Sequence, residues 1–424
     1  MKVKISPSQA KGRVEAPPSK SMTHRMVTLG ALAEGSTTIR HPLVCDDTLA
    51  TLNAVNMLGV NTERCEDEWV VEGGSLKAPG KAVYCGESGT TIRFMTAVYA
   101  LVDGTVKLTA GPSLSKRPMG PLIDALSSLG VEVHGEAGYP PITVHGKGGI
   151  GGGEATLPGD VSSQFVSALL LVAPMMRSPL TLTVSTPLQS WPYVEMTMDA
   201  MESFGVKAAA SPGRDAFTAP TGKYRASKVN VEGDWSSASY LLAAGAVSGE
   251  VTVENLDTES SQADTAILEI LSSMGASLSF RGGEVTCKKN QLEAVSLDFS
   301  DHPDLFPIVS ALCSLAKGTS VLTGLERLRL KESDRVASMT EGLKRMGVKV
   351  AEDGASVMIT GGAVRGADLN PYNDHRIAMS LGVLALAAEG DTTILDADCV
   401  TKSYPGFWGH LERLGVDMRR KQDE

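Results

Sequence analysis

Six short segments of this chain share one signature: apolar residues at helical spacing, then Leu, Phe or Met, glycine, and Val or Ala, followed by a strand-like alternation. The glycines are Gly59, Gly130, Gly205, Gly275, Gly347 and Gly415, separated by 71, 75, 70, 72 and 68 residues. Each reads as a helix C-cap, where a left-handed backbone is cheap for a residue without Cβ. A second series interleaves with the first: an apolar helix, a turn at Gly35, Gly104, Ser178, Gly249, Gly318 or Gly390, then a Thr/Val-rich strand, with steps of 69, 74, 71, 69 and 72 residues. Two six-membered series of one period imply six units of about 71 residues, each holding two helices and several strands. Such a unit is too large for a solenoid turn and too small to bury a good core alone, so three units per domain and two domains are expected. The boundary is expected near Lys228–Gly233, with a second crossing in Ala16-Pro17-Pro18-Ser19, where two prolines stiffen an extended segment. That gives one domain from residues 1–18 and 232–424 and another from 19–231.

Composition narrows the function classes. With 39 Lys+Arg against 49 Asp+Glu the 424-residue chain carries a net charge of −10, and only 5% of it is aromatic, which argues against DNA or RNA as a partner. The longest nearly uncharged apolar stretches, Ala168–Met176 and Ile377–Ala388, fall short of the ~18–20 residues a membrane span needs. The segment Met1–Ser6 lacks an apolar signal region, so a cytoplasmic location is expected. Six scattered cysteines without a CxxC pair read as reduced thiols, and the histidines show no HExxH or other metal spacing; no metal is expected.

The unusual polar residues gather at the expected helix starts. One set carries Arg117, then Ser190 and Tyr193, then Lys331, Glu332, Asp334 and Arg335, and finally Lys402. The other carries Lys20, Ser21 and Arg25; Glu87, Gly89, Thr90 and Arg93; Ser162, Ser163 and Gln164; Asp304; and Asp374, His375 and Arg376. A helix N-terminus attracts anions, and a purely structural design would put Asp or Glu there. Lysines and arginines at these points suggest a site for a strongly anionic ligand. Each tract also has an ordinary use: Ser162-Ser163-Gln164 as an N-cap, Lys331–Arg335 as a solvated first turn with local ion pairs, His375 beside Asp374 as a buried structural pair. What favours a site is their recurrence at equivalent places in different units.

These runs resemble the EPSP synthases (3-phosphoshikimate 1-carboxyvinyltransferases) of the enolpyruvyl transferase family. The matching segments are Pro18-Ser19-Lys20-Ser21 with Arg25, Gly89-Thr90 with Arg93, Lys116-Arg117-Pro118, Ser162-Ser163-Gln164, Pro192-Tyr193, Lys331-Glu332-Ser333-Asp334-Arg335, Asn373-Asp374-His375-Arg376 and Lys402-Ser403-Tyr404-Pro405. The resemblance implies an α/β (α+β type) fold: a two-domain inside-out α/β barrel built from six βαβαββ repeats, with helix N-termini converging on an interdomain cleft. It also implies transfer of the carboxyvinyl group of phosphoenolpyruvate to the 5-hydroxyl of shikimate 3-phosphate in aromatic amino-acid biosynthesis, by way of chorismate. No cofactor is implied, and by family likeness the protein is a monomer. Shikimate 3-phosphate would be held by Lys20, Ser21, Arg25, Ser162, Ser163, Gln164, Ser190, Tyr193, Asp304 and Lys331. Phosphoenolpyruvate would be held by Lys20, Gly89, Arg117, Gln164, Arg335, Arg376 and Lys402. Asp304 would be the principal base, with Lys20 and Glu332 carrying protons and Glu332 the candidate acid toward the methylene carbon. Arg93, Glu87, Arg327, Asp374 and His375 would support these groups.

The sequence departs from the family pattern at three points. Glu87 stands where Asn is frequent and is expected to accept from a nearby arginine or point away. Arg327 stands where an Asn often meets the shikimate phosphate, adding a cation. Phe94 follows Arg93 where proline is frequent, leaving the local loop geometry open. Gly89 is retained, so inhibition by glyphosate is expected. The sister transferase acting on UDP-N-acetylglucosamine is the nearest alternative; it typically has a reactive Cys before the Arg-Pro pair, and Pro112–Lys116 has none. A catalytically inactive anion-binding protein is the other alternative, and it would be expected to lose Asp304, Glu332 or Lys402.

Overall fold

Each glycine of the first series lies just past a helix: Asp46–Met57, Gly120–Ser128, Trp191–Ser203, Ile267–Ser273, Arg335–Arg345 and Phe407–Arg413. In the computed structural model, which describes residues 1–422, these glycines have φ between 82° and 86°. Gly130 shows why. Its N–H donates to the Ser127 carbonyl and the next N–H, of Val131, donates to Leu126, a double closure of the last helical turn that requires positive φ between them.

Six four-stranded sheets are present among the described residues, all of one topology. An edge strand pairs in parallel with a second, which pairs antiparallel with a fourth, and the third lies at the opposite edge. A parallel pair needs a crossover; in the four sheets whose first two strands follow one another along the chain it is a helix, and the order through those strands and the next two is βαβαββ, the N-terminal strand closing one of them. Three sheets come from continuous chain: Val83–Tyr84 to Tyr139–Lys147, Gly153–Leu157 to Ala216–Ala219, and Ser296–Asp298 to Ser356–Thr360. The other three borrow a strand. Lys228–Asn230 pairs with Gly35–Arg40, Lys11–Glu15 pairs with Glu250–Glu254, and Lys2–Ile5 lies between Thr392–Ile394 and Met418–Lys421.

The chain divides into two units, Met1–Pro17 with Glu232–Glu424, and Pro18–Val231. In each unit the helix that leads into the second strand of every sheet is buried on nearly all sides. These are Lys20–Leu32, Gly89–Tyr99 and Ser163–Val172 in one unit, and Trp235–Ser248, Phe306–Cys313 and His375–Ala385 in the other. Helices apolar all round, such as the one running from Phe165 to Val172, belong in a core: in the unit containing residues 232–424 all three pack on one another, and in the other Gly89–Tyr99 packs against both Lys20–Leu32 and Ser163–Val172. The sheets cover them, with strands such as Leu180–Val184 alternating buried and exposed residues. No helix among the described residues is long and apolar enough to cross a membrane.

Candidate active site

The first turns of the buried helices hold part of the unusual polar set. In the unit containing residues 232–424, the side chain of Arg376 links all three helices. Its Nη1 donates to Ser236 Oγ at 2.6 Å, at the start of Trp235–Ser248. Its Nη2 donates to Asp304 Oδ2 at 2.8 Å, in the short turn Pro303–Leu305 that leads into Phe306–Cys313. Arg376 itself opens the third helix, where Asp374 caps its backbone N–H at 3.0 Å.

Arg335 completes this cluster. Buried at the start of its own helix, it donates to three carboxylates: Nε to Asp374 at 2.9 Å, Nη1 to Asp304 Oδ1 at 2.8 Å and Nη2 to Glu332 at 2.6 Å. Burial alone would lower its pKa, but Asp374, Glu332 and Asp304 together raise it above the ordinary value. For Asp304 burial pushes the carboxyl up, and Arg376, Lys331 and Arg335 outweigh it, holding the group far below the usual carboxylate range. Lys331 Nζ lies 4.0 Å from Asp304. Burial pushes that ammonium down to about 8 despite the attraction of Asp304. Lys402 donates to the Asn373 carbonyl at 2.6 Å, next to Asp374, and His375 is buried in the first turn of the same helix.

In the unit Pro18–Val231, Lys20 pairs with Asp47 at 3.0 Å. Arg25 is buried and donates to Thr197 Oγ1 at 2.8 Å and to the carbonyls of Ser21 and Tyr193 at 2.8 and 2.7 Å. Ser190 holds a left-handed φ of 59° immediately before the helix that carries Tyr193. Ser162 caps Ser163–Val172 by accepting from the Gln164 N–H. The Gln164 amide accepts from Arg93 at 2.6 Å and donates to Thr90 at 3.0 Å. A Cβ placed on Gly89 would lie 3.1 Å from Nη1 of both Arg117 and Arg93. Two guanidinium groups therefore converge on the N-terminus of Gly89–Tyr99, where the helix dipole is already positive. Such an arrangement is relieved by a bound anion.

A family profile of EPSP synthase (3-phosphoshikimate 1-carboxyvinyltransferase) matches residues 5–411. The chain belongs to the EPSP synthase family. It is 43% identical over 426 residues to the 3-phosphoshikimate 1-carboxyvinyltransferase of Methanocorpusculum labreanum, covering 99% of this chain and 100% of that protein. It is 42% identical to the protein of the same name from Halobacterium salinarum, covering 98% and 99%. The solved EPSP synthase of Acinetobacter baumannii superposes with a TM-score of 0.84 at 29% identity, covering 99% and 100%. The enolpyruvyl transferase NikO of Streptomyces tendae, at 17% identity and a TM-score of 0.78 over 99% and 98%, shares the fold. The architecture is the two-domain inside-out α/β fold of the EPSP synthases.

Within this EPSP synthase frame several expectations change. Arg117, Lys331 and Lys402 do not open helices: each ends a short 3-10 turn, Leu114–Lys116, Glu326–Leu330 and Ala397–Lys402. Glu87 neither accepts from an arginine nor points away. Its carboxylate accepts the backbone N–H groups of Ser113 at 3.2 Å and Leu114 at 2.7 Å, bracing the turn before Arg117. Arg327 donates to the Ser300 carbonyl at 2.9 Å. Phe94 is buried inside the helix, with the Arg25 guanidinium 5.6 Å from its ring centre, so no loop is disturbed. Asp47, Ser236 and Asp264 were not legible as site residues, because single Asp and Ser residues near helix starts are ordinary caps. Glu132, His134 and His145 also meet, on neighbouring strands of an exposed sheet face, a grouping that chain spacing cannot reveal.

Proposed function

We propose that this protein transfers the carboxyvinyl group of phosphoenolpyruvate to the 5-hydroxyl of shikimate 3-phosphate, releasing phosphate, and that both clusters serve that one reaction. The observation that carries the reading is the Asp304 carboxylate with Arg335 on one oxygen and Arg376 on the other, in a chain of this family. Shikimate 3-phosphate is assigned to Lys20, Ser21, Arg25, Ser162, Ser163, Gln164, Ser190, Tyr193, Asp304 and Lys331. Phosphoenolpyruvate is assigned to Lys20, Gly89, Arg117, Gln164, Arg335, Arg376 and Lys402. Forked guanidinium groups suit its carboxylate and phosphate, and serine hydroxyls at a helix start add neutral donors.

Asp304 is the base for the 5-hydroxyl proton. Held by two arginines and facing Lys331, it is a weak base. Anionic substrates that take up Arg335, Arg376 and Lys331 loosen that grip and raise its basicity at the moment the hydroxyl arrives. A carbon–oxygen bond then forms at C2 of phosphoenolpyruvate while Glu332 or Lys20 protonates its methylene carbon. The resulting tetrahedral ketal phosphate loses phosphate and returns a proton from the methyl group. The same reading takes the protein as a cytoplasmic monomer, supported by family resemblance.

Phosphate release from phosphoenolpyruvate, assayed with shikimate 3-phosphate or UDP-N-acetylglucosamine as acceptor, tests the reading. Release with shikimate 3-phosphate is expected; release only with the sugar nucleotide overturns it.

A further inference from the structure

Asp264 lies in the short turn Ala263–Ala266, buried, and belongs to neither set of substrate contacts. Its Oδ2 accepts from Ser236 Oγ at 2.5 Å, and Ser236 Oγ in turn accepts from Arg376 Nη1 at 2.6 Å. Its Oδ1 is buried without a hydrogen-bond partner. A hydroxyl has one proton to give. With that proton directed at Asp264, its lone pairs face Arg376, and the guanidinium is held at the angle that puts its other arm on Asp304.

We propose that Asp264 is a positioning residue that, through the Ser236 hydroxyl, sets the orientation of Arg376 for phosphoenolpyruvate and Asp304. This rests on the reaction proposed above. The position is an expensive one for a carboxyl: burial first, and the nearby Asp304 second, push Asp264 up to about 7, while Arg376 and the Ser236 hydrogen bond pull it down and Asp234 adds a further push upward. An amide or a small apolar residue would suit such a pocket better, so stability does not explain the aspartate.

The test compares Asp264→Ala, Asp264→Asn, Ser236→Ala and the Asp264→Ala/Ser236→Ala double variant in steady-state assays on the full chain. Asp264→Ala and Ser236→Ala are expected to raise KM for phosphoenolpyruvate by about tenfold with KM for shikimate 3-phosphate within about twofold. Asp264→Asn, which can still accept from Ser236, should restore most of the loss, and the double variant should be no worse than Ser236→Ala alone. Unchanged kinetics in Asp264→Ala, equal rises in both KM values, or additive losses in the double variant overturn the proposal. A crystal structure of Asp264→Ala reads the same point without the reaction: Ser236 Oγ should leave hydrogen-bond reach of Arg376, and an intact contact overturns the role. If the wild-type protein shows no turnover with shikimate 3-phosphate, the reaction fails, whereas this structural readout still decides the positioning.

Discussion

Arg376 and Asp304 meet at 2.8 Å, and the same carboxylate receives Arg335 at 2.8 Å through its other oxygen. Both arginines are assigned to phosphoenolpyruvate, so the reacting base and the substrate clamp share their charges. Removing Asp304 then leaves the cations in place. Asp304→Ala is expected to lose between about a hundredfold and ten-thousandfold in kcat while shikimate 3-phosphate still binds. Steady-state rates with calorimetric titration check this, and near-normal turnover removes Asp304 from the mechanism.

Lys331 gives the reaction an alkaline limb. Burial pushes its ammonium down to about 8 from an ordinary 10.5, so it is charged below that pH and neutral above it. The kcat/KM for shikimate 3-phosphate should fall as pH rises through about 8. Lys331→Arg should move the limb to higher pH, since a guanidinium stays charged there. A pH profile of the two proteins decides it; coincident limbs contradict the assignment.

At Gly89 a methyl group has no room that is not taken from a guanidinium. With the Cβ 3.1 Å from the Arg117 and Arg93 nitrogens, Gly89→Ala must displace their ends. KM for phosphoenolpyruvate should rise by roughly tenfold, and the inhibition by glyphosate expected of the wild type should be weaker in the variant. Inhibition curves at fixed phosphoenolpyruvate measure both.

Glu87 holds two backbone N–H groups of the turn that ends at Arg117. Glu87→Ala should free that turn and raise KM for phosphoenolpyruvate by about tenfold, with KM for shikimate 3-phosphate little changed. Equal effects on both substrates in a two-substrate kinetic matrix would speak against a link to Arg117.

Gly130 isolates the backbone contribution to stability. Its φ is +85° and a Cβ there would meet nothing within 4 Å, so Gly130→Ala carries conformational strain without a clash. A loss of about 1 kcal/mol is expected, read from the midpoint of urea unfolding.

The sequence was most legible where a residue's role is local. A glycine past a helix, a serine ahead of one or a Thr/Val-rich strand is specified by its own backbone and nearest neighbours, so the six-fold period and many of the helix starts can be read directly, whereas the turns ending at Arg117, Lys331 and Lys402 could not. The family motifs extend that legibility to most of the polar cluster, because Arg335, Asp374 and Arg376 lie within short runs. Asp264 and Asp47 stayed hidden. Each is one carboxylate near a helix start, and only its partner, Ser236 for one and Lys20 for the other, distinguishes it from a cap.

By itself, then, the sequence determined the repeating unit, its apolar helices, and most of the polar residues that gather near helix starts. Tertiary structure decided which strand closes each sheet and what each charge touches. Lys2–Ile5 pairs with Thr392–Ile394 across almost the whole chain, and the Asp304 carboxylate is shared between two arginines 31 and 72 residues away. The reason is physical: backbone conformation follows local sterics and hydrogen bonding, whereas the strand that closes a sheet and the protonation of a buried carboxyl depend on groups that only folding brings within a few ångströms.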